Sequence, residues 1–161
     1  MASRIRAGSL AAALALVALP ALAQKYTGPG VTETEILIGQ TMPYSGPLSA
    51  YAALGKAHKG FFDAINAAGG INGRKVRFIS LDDASLPSKT VEHTRRLVEQ
   101  DQVLLLFSSV GTPNNLAVRK YLNAKKVPQL FVAGGDSAWG HYPVVSNISD
   151  QLSQSSIFHQ S

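Results

Sequence analysis

The chain has 161 residues, room for one domain and part of a second at ~100–200 residues per domain. Its 45% hydrophobic and 16% charged residues exclude a wholly disordered chain, and the lack of cysteine excludes a disulfide framework, a thiolate metal site, a cysteine nucleophile and a lipid-modified N-terminal cysteine. The formal charge of +5 is scattered: without Arg4 and Arg6, thirteen basic side chains face ten acidic ones, and no stripe suited to nucleic acid is visible.

Residues 1–23 read as an export signal. Arg4 and Arg6 form a short basic head, 8–19 is a run of apolar and small residues, Pro20 breaks it, and Ala21-Leu22-Ala23 has the small-x-small form of a cleavage site. The run is shorter than the ~20 residues a spanning helix takes. The expected product begins at Gln24, is soluble and periplasmic, and keeps 138 of the 161 residues.

Residues 24–34 form a polar lead-in. Strand one is predicted over 35–42, where Ile36, Leu37 and Ile38 run together as in a strand buried on both faces. A Pro/Gly-punctuated loop, 43–47, follows. The spacing predicts a helix over 49–68 with Tyr51, Leu54, Phe61, Phe62 and Ile65 inward, stopped by Gly69-Gly70, then a tight turn at Asn72-Gly73. Strand two is predicted over 75–81, a helix opened by Pro87 over 87–100, and strand three over 103–107. A helix over 113–125 and strand four over 128–132 complete the pattern. The tail 141–161 carries six serines and no apolar period, and is expected to be loose.

The order β-α-β-α-β-α-β predicts an α/β fold, a doubly wound parallel sheet with helices on both faces. Ligands of such sheets bind outside the carboxyl ends of the strands. Those ends are loops 43–47, 82–85, 108–112 and 133–136.

No Gly-x-Gly-x-x-Gly follows strand one, and there is neither a Walker sequence nor a Gly-x-Ser-x-Gly elbow, so no enzyme activity and no cofactor are expected. His58, His93, His141 and His159 lack ligand spacing and read as surface residues; no metal is expected. Asp82-Asp83 reads as a strand-end turn before Pro87 in preference to a cation or amine site. Loop 108–113 (Ser-Ser-Val-Gly-Thr-Pro) joins a buried strand to a helix start, where free amides and the helix dipole attract an anion. Ordinary capping explains it equally well: Thr112 would bond the amide of Asn115. The two roles are compatible, with Thr112 capping and Ser109 binding.

The stretches Ile38-Gly39-Gln40-Thr41-Met42-Pro43-Tyr44-Ser45-Gly46-Pro47, Ala67-Ala68-Gly69-Gly70-Ile71-Asn72-Gly73-Arg74-Lys75-Val76 and Asp82-Asp83 carry a family resemblance. So do Gly111-Thr112-Pro113-Asn114-Asn115-Leu116-Ala117 and Val127-Pro128-Gln129-Leu130-Phe131-Val132. In their order and spacing the chain resembles the periplasmic substrate-binding proteins of branched-chain amino acid ABC importers, the leucine-binding protein family, over about 34–140. The resemblance implies a type I periplasmic binding protein fold, two lobes closing on a small solute without chemistry. It also implies an inner-membrane ABC permease as partner.

By that analogy the ligand-binding residues are Tyr44 and Ser45, then Ser109, Val110, Gly111 and Thr112 around the carboxylate, and Ala133, Gly134 and Gly135. Two departures stand out: Gly134 offers no side-chain donor, and Asp136, facing the cleft, would favour an amine. A third is length. Lobes of this type take ~150 residues each, so the expected organisation is signal 1–23, lead-in 24–34, one incomplete lobe 35–140 and tail 141–161, a truncated form. Strand four is then an exposed edge, and stability and ligand retention are expected to be low. The expected ligand is an amino acid, aromatic acid or amide. The alternatives are a sensing module uncoupled from transport and, less favoured, an α/β enzyme.

Overall fold

A strand covered on both faces needs apolar side chains on both sides of its backbone, and the segment Glu35–Met42 (β1) meets that demand. The computed structural model describes residues 26–135. The export segment, the tail 141–161, His141, His159 and Asp136 lie outside the described residues. Beyond β1 the elements are α1 (Ala52–Ala67), preceded by a short 3-10 turn at Ser49–Tyr51, β2 (Lys75–Asp82) and α2 (Pro87–Glu99). Then come β3 (Leu105–Phe107), α3 (Thr112–Lys125) and β4 (Gln129–Leu130). The ladders between these strands are parallel and the sheet order is β2-β1-β3-β4.

The alternation of a strand sorts the core into two layers. Leu37 of β1, Ile79 and Leu81 of β2 and Leu106 of β3 meet Leu97 of α2 and Val118 and Leu122 of α3. Ile36 and Ile38, Val76 and Phe78, and Leu105 and Phe107 point the other way, to Phe62 and Ile65 of α1. The expected doubly wound sheet is thus present, with α2 and α3 on one face and α1 on the other. Gly39 lies close under the first layer: a Cβ there would stand 2.9 Å from Leu106 Cδ2 and 3.2 Å from Leu97 Cδ1, so those side chains would have to shift to admit one.

Several expectations need correction. Tyr51, Leu54 and Phe61 are exposed, not inward. The inward stripe of α1 is Gly55, His58, Phe62 and Ile65, because Gly55 lets the helix settle against Tyr44 and Met42 and so sets its rotation. Leu54 and Phe61 fall on the flank, seven residues apart like Gly55 and Phe62, and periodicity cannot choose between adjacent stripes. Strands three and four are shorter than predicted. Val103 is buried but precedes the ladder, and Phe131 leaves it with a left-handed φ of 55°. The lead-in is tied down from 26 onward: Arg74 donates from Nε to Thr32 O and from Nη2 to Tyr26 O, both at 2.7 Å.

His58 is half-buried, not a surface residue. It packs edge-on to Phe107 at 5.2 Å, and its Nδ1 lies 3.0 Å from Gln40 Nε2. Ser80 Oγ donates to Gln40 Oε1, and Gln40 Nε2 also reaches the carbonyls of Phe107 and Ser108, so the amide faces His58 as a donor. His58 Nδ1 therefore accepts, and the neutral ring is the form that fits.

Two outcomes follow from this core. Leu106→Ala, at a fully buried site between two helices, should cost about 2–5 kcal/mol in denaturant unfolding. Burial lowers the pKa of His58 below 6.5, so the folded chain takes up its proton less readily than the unfolded one. Stability should fall as pH drops below 6.5 and level off under the folded value. Thermal unfolding of wild type and His58→Gln at about pH 5 and about pH 8 checks this, the variant losing that part of the slope.

Candidate functional site

The chain leaves β1 toward β2 on one side, yet β3 pairs with β1 on the other. The strand order reverses there, and connections leaving in opposite directions open a crevice at the carboxyl ends of the strands. A pocket of about 330 Å³ occupies it. Leu48 and Tyr51 line it from the segment after β1, Val110, Gly111 and Thr112 from the loop after β3, and Ala133, Gly134 and Gly135 from the segment after β4. Among the described residues no charged side chain lines it.

The rim is stitched by backbone bonds. Gly111 N donates to Ala133 O and Ala133 N to Ser109 O, each at 3.0 Å, in a parallel bridge that continues the β3–β4 ladder past its end. Gly111 has φ 104° and ψ 120°, a conformation open to glycine, and this turn starts α3. The expected Thr112 cap is not what the structure shows. Gly111 occupies the cap position without a side-chain bond, and its carbonyl takes the Asn115 amide at 3.0 Å. Thr112 is the first helical residue, and its Oγ1 accepts from Gly135 N at 3.0 Å. The Thr112 hydroxyl proton remains to be donated, beside the positive end of α3.

The other sequence-predicted positions sit around this pocket without lining it. Tyr44 is half-buried, its Oη 2.7 Å from Ser80 Oγ. Ser45 donates from N and Oγ to the Asp82 carboxylate, at 3.1 and 2.6 Å, joining the loops after β1 and β2. Slight burial pushes the Asp82 carboxyl up, but bonds from the Ser45 hydroxyl and the amides of Ala84, Ser45 and Tyr44 outweigh it and hold the pKa below the usual value. Asp82 and Asp83 serve the strand-end turn: Asp82 also accepts from Ala84 N, and buried Asp83 from Ser85 N, Thr90 Oγ1 and Asn114 Nδ2. Ser109 is buried, its Oγ 3.3 Å from Thr41 N.

Sequence reasoning missed Leu48 as a lining residue, placed Tyr51 inside the helix packing, and gave no structural role to the side chains of Asn114, Asn115 or Gln129. All three amides are buried under the rim. A polar pair in the first turn of a helix carries no mark that separates such a site from a solvated surface.

The family model described as periplasmic binding protein matches residues 35–156. The chain belongs to the periplasmic binding protein family. The neighbours place it with the leucine-binding type. A substrate-binding periplasmic protein from Ralstonia solanacearum is 31% identical, with TM-score 0.65 over 68% of this chain and 32% of its own. The branched-chain amino acid transporter substrate-binding protein LivJ of Streptococcus pneumoniae, solved with isoleucine, is 27% identical, with TM-score 0.63 over 67% of this chain and 32% of its own. An amino acid binding protein of Pseudomonas aeruginosa is 39% identical over 74 residues, 44% of this chain and 19% of that protein. The chain thus spans about a third of the solved relatives. Both solved relatives are substrate-binding proteins. Among the described residues no helix is long and apolar enough to cross a membrane.

Gly111→Ala tests the turn that opens α3. The new Cβ would stand 2.8 Å from Asn114 Oδ1 at a φ of 104°, and a loss of about 1–3 kcal/mol in thermal or denaturant unfolding is expected.

Proposed function

We propose that this chain forms one wall of an extracytoplasmic solute-binding protein of an ABC importer, taking an amino acid or related carboxylate without transforming it. The observation that carries the reading is a pocket at the start of α3 with no charged side chain among the described residues that line it, and with a hydroxyl left to donate. A carboxylate there would meet the first-turn amides, the helix dipole and Thr112 Oγ1, with Leu48 and Tyr51 against the apolar body of the solute. Val110, Gly111, Ala133, Gly134 and Gly135 would frame it, and Tyr44, Ser45 and Ser109 would support the rim from behind. On this reading residues 1–23 direct export to the periplasm, a second lobe closes the cleft, and the permease receives the closed form.

One wall buries only part of a solute, so affinity in about the millimolar range is expected of this chain alone. Calorimetric titration with L-leucine and with L-leucinamide tests the reading. The free acid should bind more tightly than the amide, and Thr112→Val should weaken the acid by about fivefold while sparing the amide. Equal binding of the two, or an acid affinity untouched by Thr112→Val, would contradict it.

A further inference from the structure

A loop offered to an anion has to keep its carbonyls out of the way, and each carbonyl carries two lone pairs. In the loop after β3 two carbonyls are fully taken. Ser109 O accepts from Ala133 N and from Asn115 Nδ2, both at 3.0 Å. Gly111 O accepts from the Asn115 amide at 3.0 Å and from the same Nδ2 at 2.8 Å. One side-chain amide thus spends both of its hydrogens on alternate carbonyls of the loop. Gln129 of β4 fixes the direction of that amide, donating from Nε2 to Asn115 Oδ1 at 2.6 Å. Asn115 is 0% and Gln129 5% exposed, so water scarcely competes with the chain of bonds.

We infer that Asn115, oriented by Gln129, is the positioning residue of this pocket: it holds the carbonyls of Ser109 and Gly111 inward, so that neither oxygen opposes a carboxylate at the rim. The inference rests on the proposed carboxylate reading of the pocket. A merely structural Asn115 makes a different prediction. Its loss would then lower stability, and with it affinity for any solute, without changing the preference between acid and amide.

The test uses the full chain, with Asn115→Leu and Gln129→Met, each close in size to the residue it replaces. L-leucine and L-leucinamide are titrated against wild type and both variants, following the Thr112 amide by NMR. Asn115→Leu should weaken L-leucine by about tenfold or more and largely abolish the preference over leucinamide; Gln129→Met should do the same to a smaller degree. Hydrogen exchange without solute gives the second measurement. The Gly111 and Ala133 amides should exchange about tenfold or more faster in Asn115→Leu relative to Ile38 of β1. A preference that survives both substitutions, or exchange that speeds equally at all three amides, overturns the inference. Should Asn115→Leu fail to fold, Gln129→Met decides by the same two ratios. A wild type with no preference at all sinks the carboxylate reading instead, and the exchange ratio still decides whether Asn115 holds the loop.

Discussion

The carbonyl oxygens of Ser109 and Gly111 are turned into the protein and doubly hydrogen-bonded, and most of what the site offers depends on that. An exposed carbonyl pair at the start of α3 would oppose the positive end of the helix that makes the place attractive to an anion. With both oxygens engaged, neither of them opposes the start of the helix or the Thr112 hydroxyl. The same bonds join three elements: the loop after β3, the helix it opens, and β4. Local chemistry and sheet assembly are therefore one construction.

Topology supplies the space for it. Because β1 lies between β2 and β3, the connections after β1 and β3 part company and leave a crevice between them. Packing then holds the crevice open from below. Leu106 and Leu97 seal one face of the sheet, Phe62 and Phe107 the other, and Gly39 lets the first layer lie close on the strand. The Ser45–Asp82 contact and the Gln40–Ser80–Tyr44 chain tie the loop after β1 to β2. Motion of the rim would have to break named bonds, not merely slide side chains.

Much of this was legible in the residues themselves, and the misses have physical reasons. The limits of β1 at Glu35 and Met42 and the start of α2 at Pro87 follow from a continuous apolar run and from a proline at a helix start. The rotation of α1 does not, since Gly55 is decisive only through its close contact with Tyr44 and Met42. The Thr112 cap was a fair inference from residue type, yet a glycine at φ 104° lets a backbone carbonyl satisfy the Asn115 amide. The loops at the strand ends could be located from element order alone. Asn115 and Gln129 could not be singled out, because their value lies in partners brought together by the finished fold.

The most direct measurement is an NMR titration of the full chain with L-isoleucine, mapping which amides shift. The account predicts shifts at Tyr51, Gly111, Thr112 and Gly135, which share the pocket at the carboxyl ends of the strands. Shifts confined to the smaller pocket of about 240 Å³ lined by Gly30, Thr32 and Gln102, near the amino end of β1, would contradict it.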